Sequence, residues 1–287
     1  MAKNIKGLGF EEDDFSRCDA GASLFWSFFG QCKKVQVEQF FSLVITKSPQ
    51  AKITNHSTKK ATNPCKKPLI KPTNTTMTIE IWSDIVCPWC YIGKRRLEKA
   101  LTQFKHANAV EIEYKSYQLN PDMPTDTSMS INQYLSVHKG ISMQEAEQMS
   151  QRVSQIAQEE GLQYQLDKAI PVNTFKAHRL LHLAKEKGVQ AELKEALLHA
   201  YFINATNVDD HAILLKLATA VGLEETAVQN VLTTDTYKAD VERDIHEGIQ
   251  LGLQGVPFFV IDRKYGVSGA QGADVFLRAL QRAHEEG

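Results

Sequence analysis

The 287-residue chain has few cysteines, no long apolar run and almost no net charge. Its five cysteines are far below the density of a disulfide-stapled scaffold, and an odd number cannot all pair within one chain. No stretch of about 18 apolar residues is present, which argues against a membrane span. The formal net charge of -1 gives no basis for binding nucleic acid or membranes by charge. We therefore expect neither kind of partner.

The start of the sequence lacks the pattern of a secretory signal peptide. Acidic residues occupy Glu11 to Asp14, where a basic segment would stand, and the apolar patches Leu24–Gly30 and Phe40–Ile45 are short. We expect a cytoplasmic, reducing location. In such a compartment, a close pair of cysteines favours redox or catalytic chemistry over a structural disulfide.

Charge and composition divide the chain near residue 76. Residues 1–76 contain 12 Lys or Arg and 6 Asp or Glu, whereas residues 77–287 contain 21 and 28. From Thr46 to Thr76 the sequence is rich in Lys, Thr, Asn and Pro and offers little apolar surface to bury. We predict that residues 1–76 form a disordered N-terminal extension and that Met77 is the natural start of translation. Three cysteines without an assigned role lie in this segment: Cys18, Cys32 and Cys65.

Residues 77–287 alternate between strand and helix patterns in the order β-α-β, a long helical block, then β-β-α. The predicted strands are Thr78–Trp82, Val110–Tyr117, Val256–Asp262 and Tyr265–Ser268. One helix runs from the Cys87–Cys90 region to about Phe104, and another covers Ala273–His284. Seven helices are predicted between the two halves: Ser130–His138, Ser142–Glu160, Thr174–Lys187, Gln190–Phe202, Asp210–Val221, Thr226–Leu232 and Thr236–Leu251. This order predicts an α/β, thioredoxin-like fold with a large all-helical insertion at about 124–253.

The sequence Cys87-Pro88-Trp89-Cys90 stands between a predicted strand and a predicted helix. Free N–H groups and the helix dipole stabilise a thiolate at a helix N-terminus, so we expect a lowered pKa for Cys87. Pro88 suits the first helical position, because that position needs no N–H donor. We expect Cys87 to be the exposed nucleophile and Cys90 the more buried resolving thiol. Nearby Asp84 either caps the turn or raises the thiol pKa by its charge.

Two other interpretations of the cysteine pair remain open. A zinc site would need a second pair of Cys or His ligands, and no second C-x-x-C or close Cys/His pair is present, so we expect no metal. A purely structural pair of thiols is the other interpretation. The strand-C-x-x-C-helix setting favours redox chemistry over both.

Pro257 stands just ahead of an apolar strand, within Gly255-Val-Pro-Phe-Phe259. Proline cannot donate to a strand ladder, so it belongs at a strand start or edge. Given the cysteine pair, we favour a cis peptide bond at Pro257. The backbone of Val256 would then offer an edge on which an extended substrate can pair.

Three segments resemble the DsbA family of thiol oxidoreductases, specifically its FrnE-like branch: Ser83-Asp-Ile-Val-Cys-Pro-Trp-Cys-Tyr-Ile-Gly93, Gly255-Val-Pro-Phe-Phe259 and Ser268-Gly-Ala-Gln271. That branch is similar to 2-hydroxychromene-2-carboxylate isomerases and kappa-class glutathione transferases. The resemblance covers residues 77–287 and implies that Cys87 is the nucleophile, Cys90 the resolving thiol and Pro257 a cis-proline facing them. We also expect substrate contacts from Pro88, Trp89 and Val256.

The sequence departs from both groups of relatives at the active positions. Glutathione-transferring relatives usually keep a serine at the first position, whereas this chain has Cys87, which favours dithiol exchange. Periplasmic DsbA proteins carry a histidine between the cysteines, where this chain has Trp89, so their extreme thiol acidity does not carry over. The resemblance places Asn173 (most simply a helix N-cap), His178 and Gln271 near the site as candidate contacts for a substrate or glutathione.

These features predict a cytoplasmic thiol–disulfide oxidoreductase acting on protein or small-molecule thiols and disulfides. We expect no cofactor, and glutathione is a candidate co-substrate. One alternative is a glutathione-dependent isomerase or transferase. A second alternative is a non-catalytic, chaperone-like binding module that uses the apolar groove beside Pro257. The sequence does not give the substrate, the direction of exchange or the oligomeric state.

Overall fold

The structure, a computed structural model, describes residues 6–7 and 76–286. A mixed sheet of five strands forms its centre, in the order β1-β5-β4-β2-β3. The strands are β1 (Lys6–Gly7), β2 (Met77–Ser83), β3 (Val110–Ser116), β4 (Phe258–Ile261) and β5 (Tyr265–Ser268). Strands β2 and β3 are parallel, β4 runs antiparallel to β2 and β5 antiparallel to β4. The short strand β1 lies at the edge of the sheet and pairs parallel to β5.

Nine α-helices accompany the sheet within the described residues. Helix α1 (Pro88–Leu101) follows β2, and α9 (Ala273–Glu285) closes the described chain. Seven helices lie between β3 and β4: α2 (Ile131–Lys139), α3 (Met143–Glu159), α4 (Phe175–Glu186), α5 (Gln190–Phe202), α6 (His211–Ala220), α7 (Glu225–Thr233) and α8 (Lys238–Gln250). A thioredoxin-like fold with a large helical insertion is therefore confirmed. No helix in the described part of the chain is long and apolar enough to cross a membrane.

Side chains on the two faces of β2 belong to two different apolar clusters. Ile79 and Ile81 belong to a cluster formed with α1 and α9, whose buried members include Leu97 and Phe276. Trp82 belongs to the larger cluster formed mainly by the insertion. Successive strand residues point to opposite faces of a sheet, so β2 is buried on both sides. The cysteine pair follows directly after this strand, at the junction of the two clusters.

The insertion also covers an edge of the sheet. The side chain of Gln190, at the start of α5, accepts a hydrogen bond from the Tyr114 N–H and donates one to the Tyr114 carbonyl, both at 2.9 Å. An open strand edge exposes such groups, and here a glutamine side chain satisfies them at β3. The same insertion reaches the end of β3, where Asp244 of α8 accepts from the Ser116 N–H at 2.9 Å.

Most predicted element bounds differ from the observed ones by one or two residues, and Gln190–Phe202 and Tyr265–Ser268 match. Helix α1 ends at Leu101 rather than near Phe104, because a turn follows it. Strand β4 begins at Phe258, after Pro257, rather than at Val256. The prediction that residues 1–76 lie outside the fold missed β1, and the remainder of that prediction (residues 1–5 and 8–75) lies outside the described residues.

Candidate active site

The two cysteines lie at the turn from β2 into α1. Cys87 is the N-cap of α1 with an extended backbone, and Pro88 occupies the first helical position as predicted. The Cys90 N–H donates to the Cys87 carbonyl at 3.0 Å, which places the two residues in one helical turn. Both are free thiols. The local sequence therefore brings a reduced dithiol to a helix N-terminus.

Cys87 faces the loop that carries Pro257. Its Sγ–H donates to the Val256 carbonyl at 3.4 Å, and the Val256–Pro257 peptide bond is cis, which confirms that prediction. The prediction that Cys87 is the exposed thiol is wrong for this structure, because Cys87 and Cys90 are each 3% exposed. Cys87 belongs to the large apolar cluster that also contains Trp89, Val256 and residues of the insertion, so α1 and the Pro257 loop meet in a closed contact at this site.

The electrostatics of Cys87 also differ from the sequence-based expectation. Burial raises the pKa of the Cys87 thiol well above its ordinary value, and the Cys90 thiol and the Asp84 carboxylate raise it further. The Cys90 backbone N–H lowers it, which is the helix N-terminal effect that the sequence predicted. Burial outweighs this effect in the closed, reduced state. Formation of the thiolate therefore depends on groups that offset the cost of a buried charge.

The Pro257 loop packs closely on α1. A Cβ atom added at Gly93 would lie 3.1 Å from Pro257 Cγ, 3.2 Å from Phe259 Cζ and 3.4 Å from Ala270 Cβ. The Pro257 carbonyl accepts from the Gly269 N–H at 2.9 Å, and Arg96 Nη1 donates to the Ala270 carbonyl at 2.7 Å. Gly93 thus allows the helix to hold the Pro257 loop and the loop after β5 against the thiols.

The carboxylate of Asp84 stabilises the turn between β2 and α1 by hydrogen bonds. It is 1% exposed, and its carboxylate accepts from the Ile85 N–H at 2.7 Å and the Leu119 N–H at 2.8 Å. His178 Nε2 lies 3.2 Å from Asp84 Oδ1. Burial acts to raise the pKa of Asp84, but hydrogen bonds from His178, Leu119 and Thr174 outweigh it and hold that pKa below its ordinary value. Asp84 is therefore a buried anion that fixes the turn and also acts on Cys87.

His178 lies behind the thiols and not at the surface. It is 0% exposed, and burial lowers its pKa despite the contact with Asp84. Its Nδ1 has no hydrogen-bond partner among the described residues, so a proton there would be buried without an acceptor. The neutral ring donates from Nε2 to Asp84. This placement does not support the predicted substrate contact of His178, since no part of the side chain is accessible.

Pro88 and Trp89, the two residues between the cysteines, are both buried. Tyr164, in the loop after α3, donates its hydroxyl hydrogen to the Pro88 carbonyl at 2.7 Å. Its ring stacks on Phe202 of the insertion at 4.6 Å between centroids. Trp89 is 7% exposed, and its Nε1–H has no hydrogen-bond partner within the described part of the chain. This nitrogen is itself buried, so the structure shows no accessible contact for a substrate there, and the substrate contact of Trp89 stays a prediction.

Asn173 and Gln271 serve as structural hydrogen-bonding residues. Thr174, not Asn173, is the N-cap of α4, although the Asn173 side-chain oxygen accepts from the Phe175 N–H at 2.9 Å. Asn173 Nδ2 also donates to the Met123 carbonyl at 3.0 Å. Gln271 Nε2 donates to the Ser268 carbonyl at 2.8 Å. Their substrate contacts stay a prediction, and these bonds give each a role within the fold.

Sequence reasoning missed two residues that the fold brings to the site. Lys194 and Tyr164 both lie in the helical block, more than 70 positions after Cys90. Tyr164 has no motif that marks it. Lys194 stands among Leu193, Leu197 and Leu198 on α5, and a lysine in step with such an apolar face was the available signal.

Comparisons with known proteins agree with this architecture. The family model of the DSBA-like thioredoxin domain matches residues 78–281. A probable DsbA oxidoreductase from Streptomyces coelicolor is 41% identical, with a TM-score of 0.69 over 74% of this chain and 91% of its own. The uncharacterized protein YwbO of Bacillus subtilis is 31% identical over 71% of this chain and 96% of its own length.

A more distant structure has the same fold. The cytosolic disulfide reductase DsbM from Pseudomonas aeruginosa, solved with GSH, is 16% identical, with a TM-score of 0.51 over 72% of this chain and 99% of its own. The family model covers most of residues 77–287, including both cysteines and Pro257. The chain therefore belongs to the family of DSBA-like thioredoxin domains.

Proposed function

We propose that this protein is a thiol–disulfide oxidoreductase that exchanges disulfides through Cys87 and Cys90. One observation carries the proposal: the Cys87 sulfur lies 3.4 Å from the carbonyl that precedes the cis-proline, with Cys90 in the same helical turn. A nucleophilic thiol, a resolving thiol and a backbone edge for the substrate are thus in one place.

The reaction proceeds in two exchanges. The Cys87 thiolate attacks a substrate disulfide, forms a mixed disulfide with one substrate sulfur and releases the other as a thiolate. The Cys90 thiolate then attacks the Cys87 sulfur, forms the Cys87–Cys90 disulfide and releases the second substrate thiolate. The substrate gains two electrons, and the cysteine pair loses two. The reverse sequence oxidises a substrate dithiol, and the reduction potentials of the two pairs set the direction.

Small thiols, glutathione among them, are the proposed electron partners, and the cytoplasm is the proposed location. The GSH in the DsbM structure, which shares this fold, supports testing glutathione first. Proteins and peptides with accessible disulfides are the proposed substrates.

A coupled assay tests the proposal directly. A peptide disulfide that gains fluorescence on reduction is supplied with glutathione, and the initial rate is measured for the wild type and for Cys87→Ser, Cys90→Ser and Cys65→Ser. We expect Cys87→Ser to lose nearly all activity and Cys65→Ser, a cysteine outside the C-x-x-C pair, to keep it. Wild-type rates in Cys87→Ser would refute the proposal.

The same variants separate the alternatives. Saturable glutathione binding that survives Cys90→Ser, without disulfide exchange in the wild type, would instead support a glutathione-dependent isomerase or transferase. Suppression of protein aggregation that survives loss of both cysteines, again without exchange, would support a chaperone-like binding module.

A further inference from the structure

A cavity of about 560 Å³ lies in the insertion, between helices α2 and α3 and the loop that follows α3. Its volume falls in the usual range for ligand pockets. The polar lining includes Asn132 of α2 and Ser150 of α3, and the apolar lining includes Met143 and Leu166. Tyr164 of the loop lines the cavity as well. The cavity thus offers both hydrogen-bonding groups and apolar surface to a ligand.

Tyr164 connects this cavity to the cysteine pair. Its hydroxyl donates to the Pro88 carbonyl at 2.7 Å, and Pro88 directly follows Cys87. An ion pair at 2.7 Å between Arg96 of α1 and Glu160, the C-cap of α3, joins the same two helices. One side chain therefore contacts both the cavity and the residue after Cys87. An extended chain of a few residues, at about 3.4 Å each, has the length to reach from one to the other.

The amide of Asn132 has a donor that no protein group uses. Asn132 is 4% exposed, and Ser150, which is 6% exposed, donates its hydroxyl hydrogen to Asn132 Oδ1 at 2.5 Å. Asn132 Nδ2 has no hydrogen-bond partner among the described residues. It is not one of the enclosed, unpartnered polar atoms of that part of the chain, so it keeps accessible surface. An acceptor on a ligand in the cavity can satisfy this donor.

The hydroxyl of Ser150 completes a pattern that matches a peptide group. Because its hydrogen goes to Asn132, the Ser150 oxygen remains free to accept a hydrogen bond. The pair thus presents a donor, Asn132 Nδ2, and an acceptor, Ser150 Oγ. Each peptide group of a chain has one N–H donor and one carbonyl acceptor. A peptide backbone can therefore satisfy both side chains, whereas a simple anion can satisfy only the donor.

Two carboxylates give the cavity a preference for positive charge. Glu147 of α3 and Asp167 of the loop both line it, and both residues are exposed. Neither has an ion-pair partner among the described residues. No lysine or arginine in the described part of the chain lines the cavity. The unpaired carboxylates therefore attract a basic side chain of a ligand.

We propose that this cavity binds a short basic segment of a peptide or protein substrate. A peptide group of the segment bonds Asn132 and Ser150, and a lysine or arginine side chain lies near Glu147 and Asp167. The segment belongs to the chain whose disulfide is exchanged at Cys87, so the insertion selects substrates with basic residues near the disulfide. This role rests on the proposed disulfide exchange, but the binding needs no cysteine in the ligand and can be measured without turnover.

Fluorescence anisotropy with a cysteine-free peptide tests the binding. The probe is a short labelled peptide with blocked ends that carries lysines, and the comparison peptide carries glutamates in their place. We expect saturable binding of the lysine peptide to the full wild-type chain and weaker binding of the glutamate peptide. No binding of the lysine peptide, or equal affinity for the two peptides, would overturn the proposal.

Serine variants test the hydrogen-bonding part of the cavity. Ser150→Ala removes an acceptor, so we expect the dissociation constant of the lysine peptide to rise by roughly 2- to 12-fold, as for the loss of one hydrogen bond. Ser136→Ala is the matched control, because the Ser136 hydroxyl donates to the Ile141 carbonyl at 2.8 Å and does not line the cavity. Equal affinities in the two variants would contradict the assigned contact.

Glutamate variants test the charge and do not disturb buried groups. Glu147→Gln should raise the dissociation constant of the lysine peptide by roughly 1.5- to 5-fold, the usual range for an exposed ion pair. Glu159→Gln removes an exposed carboxylate of the same helix that does not line the cavity, so it should leave the affinity unchanged. The same affinity in Glu147→Gln as in Glu159→Gln would contradict the preference for basic peptides.

The wild type provides a test that does not depend on any variant. In ¹⁵N-labelled protein, we expect the side-chain NH2 signals of Asn132 to shift on titration with the lysine peptide, along the same saturation curve as the anisotropy. Binding that leaves those signals unchanged would overturn the assignment of the peptide to this cavity.

Kinetics separate this proposal from the proposed function. With the same two peptides in disulfide form, we expect a higher kcat/KM for the lysine version, and a smaller preference in Glu147→Gln than in Glu159→Gln. A wild type that binds the lysine peptide as expected but exchanges no disulfides would refute only the proposed function. Disulfide exchange without a preference for the lysine peptide would overturn the cavity as a substrate site and leave the proposed function standing.

Discussion

The two sides of the cysteine pair are built from different parts of the chain and act on it differently. On the thioredoxin side, backbone groups and small residues touch the thiols, as the Val256 carbonyl and the close packing of Gly93 on Pro257 show. On the insertion side, buried ionisable side chains approach from behind, with His178 on Asp84 and Lys194 on the Ser83 carbonyl. The thioredoxin side fixes the positions of the reacting groups. The insertion side places buried ionisable groups next to the turn that carries them.

This difference explains how the insertion can also matter to the chemistry at the cysteines. A thiolate formed in a buried site needs a compensating charge nearby. At the turn, the Cys90 backbone N–H lowers the pKa of Cys87, whereas the anion Asp84 raises it. Two buried basic residues that contact this turn or the strand before it, His178 and Lys194, come from helices α4 and α5 of the insertion.

We expect the largest loss of stability when the buried carboxylate of Asp84 is removed. Asp84→Ala leaves the Ile85 and Leu119 N–H groups and His178 without an acceptor, so we expect a loss of about 3–5 kcal/mol. The exposed N-cap Asp210 accepts a backbone hydrogen bond from Ile213 at 2.9 Å and serves as the control.

Urea denaturation of the two variants measures this difference. Asp210→Ala should cost only about 1 kcal/mol, the usual value for loss of an N-cap. Equal losses in Asp84→Ala and Asp210→Ala would show that burial gives Asp84 no special role in the fold.

The next largest effect is expected where α1 packs on the Pro257 loop. Gly93→Ala brings a methyl group to 3.1 Å from Pro257, so we expect a loss of about 1–3 kcal/mol together with slower exchange. Gly248→Ala is the matching substitution on the insertion side, where the methyl group would lie 2.7 Å from Trp82 Nε1. It should destabilise the protein in thermal denaturation without changing the exchange rate per folded molecule. Normal exchange in Gly93→Ala would contradict the role of this contact.

The pH dependence of stability should report the neutral state of His178. Its pKa is lowered in the folded protein, so below about pH 6.5 the unfolded chain binds a proton that the folded chain does not. Unfolding free energy should therefore fall as the pH drops from 7 toward 5, with a contribution from this residue of up to about 1.4 kcal/mol per pH unit.

Two variants isolate that contribution. His178→Gln can still donate to Asp84 but cannot titrate, so its stability should fall less steeply than that of the wild type over the same range. Replacement of the exposed His246 by glutamine is the surface control. A His178→Gln slope equal to that of the wild type would show that the pKa of His178 is the same in the folded and the unfolded protein.

The smallest effect is expected at Tyr164. Tyr164→Phe removes the hydrogen bond to the Pro88 carbonyl but keeps the ring stacked on Phe202, so we expect a loss of about 0.5–1.5 kcal/mol. Tyr237→Phe, which removes an exposed hydrogen bond to Glu186, should cost less. Chemical denaturation compares the two, and a larger loss in Tyr237→Phe would mean that the Pro88 contact contributes little.

The sequence predicted the residues on the thioredoxin side of the cysteine pair better than the buried ionisable residues on the insertion side. The positions of Cys87, Cys90 and Pro257 follow from local rules for helix starts and strand starts, and those rules operate over a few residues. The burial of Cys87 does not, because it results from packing by the insertion. Lys194 reaches the Ser83 carbonyl, at the end of the strand before the cysteines, from more than 100 positions further along the chain. No local pattern encodes that contact, although a lysine on an apolar helix face was a usable signal.

The central claim is that Cys87 attacks the substrate and Cys90 resolves the mixed disulfide. The most direct test is peptide mapping by mass spectrometry after each single-cysteine variant reacts with oxidised glutathione. We expect Cys90→Ser to accumulate one glutathione on Cys87, because the resolving thiol is absent, and Cys87→Ser to form no adduct on Cys90. An adduct on Cys90 in Cys87→Ser, or none on Cys87 in Cys90→Ser, would contradict the assigned roles.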